Sequence, residues 1–369
     1  MRKKENRVRV EEIDYGIFYS VLILLAIGII MIYSASSYYA MFKDGDSMVY
    51  LKKQIIWAIT GLVAMFLMAN VDYHKLKKIT PQLLIITVPL LIAVFFFPAV
   101  NGAKRWIQIG MLSFQPSELT KYVVVLFLAL SLDIKGDGVK KFFTGIVPYL
   151  GVSGLFSAMI LAEKNLSIAA IIMIVTFIML FVAGGRIQDL FGKVAPTLLI
   201  VVLIFIFSEG YRRARMLNFL NPWKDPAGDG YQLIQSFYAL GAGGVTGLGL
   251  GQSRQKTLYM PEPHNDFIFS IIGEEIGLIG CLFIISLFIF FVWRGIKVAM
   301  KAKDTYGTLL AVGITSIIAV QAIINIAVVT GSMPVTGVPM PFISYGGTSL
   351  VINMIAMGIL LNISRQIER

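Results

Sequence analysis

Ten predominantly apolar stretches recur along the chain, most of them roughly 17 to 25 residues long, the length that crosses a hydrocarbon core of about 30 Å. They fall near 15–36, 54–71, 82–99, 117–133, 143–162, 166–184, 194–210, 266–293, 307–331 and 346–363. A soluble domain carries about 25% charged residues. This 369-residue chain carries 14%, with 57% hydrophobic residues and a mean hydropathy of +0.79, so it lacks the polar surface to face water on every side. The expected fold class is all-α: a polytopic membrane protein of about ten helices, one membrane domain over 1–369. The basic start, Arg2-Lys3-Lys4, imitates a signal peptide, but the first apolar run is long and more spans follow, so it is read as a retained first helix.

Cysteine and histidine usage excludes several chemistries. One cysteine, Cys281, within an apolar run, permits no intrachain disulfide or thiolate metal site and reads as a small buried hydrophobe. His74 and His264 are too few for a zinc site without added carboxylates. The net charge of +11 points to cytoplasmic loops and lipid headgroups, not to nucleic acid. With ten spans the termini share a side. Placing that side in the cytoplasm puts 19 Lys/Arg there and 12 opposite, six of the latter in one long loop that the positive-inside rule discounts. The expected layout is a cytoplasmic arm over 1–14, a large outer loop over 211–265 between the seventh and eighth helices, a cytoplasmic tail over 364–369, and outer loops at 100–116 and 332–347.

Those outer connections hold the residue types that carry chemistry. In the long loop, apolar residues at 233, 234, 237, 238 and 240 form a helical stripe. Six glycines follow within the eleven residues 241–251; they suit close helix packing or a hinge, or a backbone N–H surface for a phosphate with Arg254 and Lys256 beside it. Next comes Pro261-Glu262-Pro263-His264-Asn265-Asp266, two carboxylates, an imidazole and an amide within five residues, at the head of the eighth span. Asp266 reads as a helix N-cap or as a reactive group at the outer membrane boundary. Glu274 and Glu275 lie about 12–14 Å further down that helix and need partners. Lys121 is one candidate, the alternative being that it pairs locally with Glu118. Glu163 and Lys164 read as solvated surface charges. Arg105-Trp106 and the trio Arg212, Arg213 and Arg215 suit headgroup anchoring or phosphate binding.

With these residues laid out, the chain resembles the SEDS family of cell-wall proteins (FtsW, RodA, SpoVE) from the first span to the last. The motifs that carry the resemblance are Lys104-Arg105-Trp106 with Gln115-Pro116-Ser117-Glu118-Leu119-Thr120-Lys121, and Asn221-Pro222-Trp223 with Asp229-Gly230-Tyr231-Gln232. Further along come Gly247-Leu248-Gly249 with Gln255-Lys256, the run Pro261 to Phe269, Gly273-Glu274-Glu275-Ile276-Gly277, and Pro341-Phe342-Ile343-Ser344-Tyr345-Gly346-Gly347. The Asn-Pro-Trp run, Gly251-Gln252-Ser253 and the ending Leu360 to Arg365 are closer to the FtsW/SpoVE branch. Two departures stand out: Glu163-Lys164-Asn165-Leu166-Ser167 occupies the place of the family's Pro-Asp-Leu-Gly, so that motif's Asp has no counterpart here, and Asn265 replaces a Thr.

The resemblance implies a peptidoglycan glycosyltransferase of the plasma membrane that polymerises lipid II beside a class B penicillin-binding protein and other divisome or elongasome membrane proteins. It also implies that Asp266 is the catalytic residue, and the general-base role suits it. Arg105, Lys121, Arg213 and Lys256, with a divalent cation such as Mg or Mn as a further candidate, would meet the leaving pyrophosphate. Gln115, Ser117, Glu118, Glu262, His264, Ser344, Gly346 and Gly347 would line the substrate groove. Two other classes stay open on the residues alone: a lipid II transporter, which buried charges in the fourth and eighth spans suit, and a non-catalytic scaffold for a transpeptidase.

Overall fold

The computed structural model describes residues 12–367 apart from 100, 101, 111, 208, 209, 211, 212, 214, 215, 217, 218 and 229. Arg212, Arg215 and most of the N-terminal arm therefore lie outside the described residues. Helices occupy all ten apolar stretches: α1 (Tyr15–Asp44), α2 (Val49–Ala69), α3 (Leu76–Ala93), α4 (Pro116–Lys135), α5 (Val147–Ala162), α6 (Leu166–Val182), α7 (Ala195–Phe207), α9 (Ile268–Lys301), α10 (Thr305–Val329) and α11 (Gly347–Arg365). Between α7 and α9 the expected striped segment forms α8 (Tyr231–Gly243). Among the described residues eight helical stretches are long and apolar enough to cross a bilayer, while α6 is apolar at 17 residues. The remaining one, α4, spans 20 residues but carries Glu118 and Lys121.

Local chemistry sets the ends. The Asp14 carboxylate accepts from the Ile17 N–H to open α1 (3.0 Å), Asn165 does the same for α6, and Asp304 for α10. Gly45, at φ 72°, closes α1 with its N–H on the Met41 carbonyl. Pro116 sits in the first turn of α4, where its missing N–H costs nothing. The 100–116 connection contains a feature the sequence reading did not anticipate, an antiparallel hairpin of β1 (Ile107–Ile109) and β2 (Leu112–Phe114).

Packing sorts the helices into centre and rim. In α11 72% of the most apolar window is buried and in α10 61%, against 11% for the stretch ending in α7. The outer faces expose Ile56, Leu67, Ile85 and Leu199, an apolar surface that only lipid can cover. At one end the bundle is tied by charge. Arg294 of α9 forks onto Asp14 (3.0 and 2.5 Å), and His74 lies between Asp72 (2.7 Å) and Asp304 (2.5 Å). From that tied end α1 runs about 45 Å, well past a core of about 30 Å, so it projects beyond the core at the other end.

The long helix α9 is broken inside by Gly277 (φ 74°, ψ −170°), which frees backbone groups that a buried helix must satisfy. The glycine-rich segment supplies them. Leu248 and Gly249 donate to the Glu274 and Glu275 carbonyls (2.9 Å each), and Leu278 and Ile279 donate to the Gly244 and Val245 carbonyls (3.0 and 3.2 Å). A Cβ at Gly277 would stand 2.3 Å from the Gly247 nitrogen. Gly277→Ala is therefore expected to destabilise the protein by more than about 2 kcal/mol, from left-handed strain plus that clash. Gly151→Ala in α5, where a Cβ meets nothing within 4 Å, stays within about 0.5 kcal/mol of wild type. Thermal unfolding of the two variants in one detergent checks the contrast.

Candidate functional site

The glycine-rich segment is thus a packing device, the first of its two sequence readings. Its continuation, 251–256, wraps the two glutamates of α9. Glu275, fully buried, accepts from Ser34 Oγ of α1 (2.7 and 2.8 Å), from the Gly251 and Ser253 N–H groups (3.0 and 3.3 Å) and from Lys256 Nζ (2.7 Å). Lys256 also donates to Ser34 Oγ (3.0 Å). Glu274 accepts from Ser253 Oγ and from the Arg254 and Gln255 N–H groups. The carboxylates that needed partners find them in the loop and not in Lys121. Lys121 takes the local alternative: its ammonium lies 3.0 Å from Glu118 and donates to Gln321 of α10 (3.0 Å), while Ser349 of α11 donates to the same Glu118 oxygen (2.6 Å). This four-residue cluster ties α4, α10 and α11 together in the bundle centre. Just above it Gln115 donates to Ser117 Oγ (3.0 Å), both buried.

The Pro261–Asp266 run climbs from this wrapped loop to the head of α9. Glu262 takes a left-handed backbone (φ 46°), and Asn265 fastens it by donating to the Glu262 carboxylate (2.8 Å) and carbonyl (3.1 Å). Helix α9 then begins at Ile268 with Phe267 in the cap position and no side-chain cap. Asp266 stands one residue ahead of the cap position. Its carbonyl accepts from Asn325 Nδ2 of α10 (2.7 Å), and the same amide donates to the Val338 carbonyl (2.7 Å). The half-buried Asp266 carboxylate lies beside Gly337, 3.7 Å from where a Cβ would be. One asparagine thereby pins the Asp266 turn to the 332–347 loop.

His264 faces the other way. It is 2% exposed, with its ring centroid 4.4 Å from Tyr50, 5.5 Å from Tyr345 and 5.9 Å from Tyr39. Burial pushes the imidazole down to about 4, with Lys43 adding to the effect, so it is neutral through the physiological range. Its carbonyl accepts from the Tyr345 N–H (2.9 Å). Ser344 is buried and folds onto Met340, whose N–H donates to its hydroxyl (2.8 Å). Gly346 precedes α11, and a Cβ at Gly347 would stand 2.4 Å from the Trp57 ring.

Arg105 reaches the α5–α6 connection, donating to the Glu163 carbonyl (3.3 Å) and the Lys164 carbonyl. There the structure corrects the sequence reading of solvated charges. Lys164 is exposed, but Glu163 is 1% exposed and, among the described residues, neither carboxyl oxygen has a hydrogen-bond partner. Burial pushes its carboxyl up to about 8, against a downward pull from Arg105. A raised acid pKa means that the folded state holds the proton more tightly, so stability falls as pH rises from about 4.5 towards 8. Glu163→Gln is expected to match wild type near pH 4.5 and to exceed it by about 2 kcal/mol or more at pH 8. Thermal midpoints at the two pH values decide; an equal offset at both would refute the assignment. Arg213 is an exposed position whose neighbours lie outside the described residues.

The fold and site define a polytopic membrane protein with a carboxylate set at one rim and buried ion pairs beneath it. Residues 15–369 match the FtsW/RodA/SpoVE family, described as cell cycle protein. Stage V sporulation protein E of Bacillus subtilis (strain 168) is 45% identical over 350 residues, covering 93% of this chain and 94% of that protein. A probable peptidoglycan glycosyltransferase FtsW of Geobacter sp. (strain M18) is 41% identical, covering 98% of this chain and 99% of that one. A solved structure of a peptidoglycan synthase complex that coordinates polymerization and crosslinking contains a chain 28% identical, with TM-score 0.79 over 96% of this chain and 98% of its own. The Thermus thermophilus rod shape determining protein RodA, 22% identical, shares the fold with TM-score 0.72, covering 97% of this chain and 98% of its own. The chain belongs to the FtsW/RodA/SpoVE family.

Proposed function

We propose that this protein is a peptidoglycan glycosyltransferase that polymerises lipid II at the outer face of the cytoplasmic membrane, with Asp266 as the general base. The observation that carries the reading is the carboxylate of Asp266. It stands one residue ahead of the cap position of α9, it is half-buried beside Gly337, and its backbone is clamped by Asn325. The acceptor's C4 hydroxyl oxygen attacks the anomeric carbon of the donor and gives its proton to Asp266. The bond to the pyrophosphate oxygen breaks on the opposite face, and undecaprenyl pyrophosphate departs with the electron pair. A base placed within hydrogen-bond reach of that hydroxyl contributes about 10²- to 10⁴-fold.

The developing pyrophosphate charge needs cations. Lys121 and Lys256 are already paired with Glu118 and Glu275, which leaves Arg105 and Arg213 as the groups to meet the leaving group. Among the described residues no group of three or more His, Cys, Asp or Glu side chains is arranged to hold a metal ion. Nineteen Lys/Arg against twelve support cytoplasmic termini, which puts Asp266 outside. The related complex coordinates polymerization with crosslinking, which supports a transpeptidase as the partner.

The test supplies fluorescent lipid II to the purified protein in nanodiscs, with and without a class B penicillin-binding protein. Glycan ladders are expected. Lipid II crossing the bilayer of proteoliposomes without ladders would replace this reading with transport, and partner binding with neither activity would leave a scaffold.

A further inference from the structure

A cavity of about 660 Å³ lies against the outer part of α1, and its lining, among the described residues, comes from 30–47 and 250–257. The 262–266 run and the 332–347 loop contribute nothing to that lining, so the cavity is separate from the Asp266 neighbourhood. Its size falls within the roughly 300–1,000 Å³ of small-molecule sites. The wall is made of Tyr33, Tyr38 and Met41 on α1, and of Ser37, Gln252 and Thr257 for hydrogen bonding. Ser34 and Lys256 form the floor, where the Lys256 ammonium is matched by Glu275 at 2.7 Å. The first 20 or so residues of α1 fill a 30 Å core, so Ser34 sits at its outer edge and residues 37–47 stand above it.

We propose that this cavity binds sugar rings of the newly made glycan strand as it leaves the site. The inference rests on the polymerase reading above and adds to it a subsite for the product. Three features select the ligand's chemistry. Aromatic rings beside hydroxyl and amide groups suit the apolar faces and polar edges of a pyranose. The floor is charge-balanced, so an uncharged sugar enters without leaving an unpaired charge, whereas a pyrophosphate would lie beside Glu275 and find Lys256, the cation of the described lining, already matched. The cavity also adjoins the place where the strand is made: Tyr38 lines it, while the next residue, Tyr39, packs its ring 5.9 Å from His264, two residues from Asp266. A strand growing at Asp266 passes the outer turns of α1.

Chitotetraose, a β-1,4-linked tetramer of N-acetylglucosamine with no lipid and no phosphate, is the probe. Saturation-transfer NMR on the full-length protein in nanodiscs is expected to show binding that drops at least tenfold in Tyr38→Ala and Gln252→Ala and persists in Asp266→Asn. Tyr38 is half-exposed and Gln252 is exposed, so both variants keep the fold. In polymerisation assays the same two variants should consume lipid II at the wild-type initial rate and release strands at most half as long. No transfer to chitotetraose in wild type, or transfer that survives both substitutions, overturns the proposal. So does transfer lost in Asp266→Asn, which would put the sugar at the carboxylate instead. A wild-type protein that binds the tetramer but makes no glycan would sink the polymerase reading and leave a sugar site standing, so the two failures are distinguishable.

Discussion

Asp266→Asn is expected to lower the rate of glycan polymerisation at least ~100-fold while the protein inserts, folds and binds its partner as wild type does. Asparagine keeps the size of the side chain and removes the proton acceptor. The fold is expected to tolerate the change, because the contact that fixes this turn runs from Asn325 to the Asp266 backbone carbonyl and asparagine keeps a side-chain acceptor oxygen. The thermal midpoint is therefore expected to move by no more than the equivalent of about 0.5 kcal/mol. Asp266→Glu retains a carboxylate but extends it by one methylene, and it should recover part of the activity, since misplacement by about 1 Å costs on the order of 100-fold. Initial rates of lipid II consumption, measured beside unfolding curves for all three proteins, make the comparison. Ladders from the asparagine variant at the wild-type rate would remove Asp266 from the chemistry, and a collapsed midpoint would reassign it to structure.

Much of this architecture was legible in the sequence because a bilayer imposes its length on a helix. The apolar stretches and the stripe at 233–240 located the helices α1 to α11 among the described residues, though α1 runs to Asp44 and α9 to Lys301, beyond the expected 36 and 293, because neither helix ends at the hydrocarbon boundary. Local pairs were legible as well: Glu118 and Lys121 stand three residues apart and find each other. Contacts between distant segments were not. Glu274 and Glu275 announced a need for partners, but their donors come from a loop about twenty residues upstream in sequence and from Ser34, 241 residues away. Glu163 reads as solvent-facing in a Glu-Lys-Asn run, and its burial follows from how α5 and α6 pack, with Arg105 arriving from 58 residues away. The place of Asp266 at the head of the eighth span was legible, but its position one residue ahead of the cap was not, since that depends on where the backbone turns into α9. The hairpin at 107–114 left a weak signal, two three-residue alternations around Gly110, too short to stand out from a loop.

Glu275→Gln is expected to be the most destabilising substitution of a single polar side chain among those considered, by about 3–5 kcal/mol, because it strands the buried Lys256 ammonium without its counter-charge. The carboxylate also accepts from Ser34 Oγ and from two loop N–H groups, and an amide offers one acceptor oxygen where two were used. The consequence reaches beyond the pair. Segment 244–256 fills the break at Gly277 and leads into the run that ends at Asp266, so loosening it should abolish polymerisation as well as lower the midpoint. Lys256→Met is expected to cost less, since Glu275 keeps its hydroxyl and backbone donors. The double variant should be more stable than Glu275→Gln alone, with a coupling of about 0.5–3 kcal/mol. Limited proteolysis within 245–260 gives an independent readout: cleavage should appear in Glu275→Gln and recede in the double variant. Purely additive effects, or a Glu275→Gln midpoint indistinguishable from wild type, would show that the loop is held by the glycine contacts with α9 and not by charge.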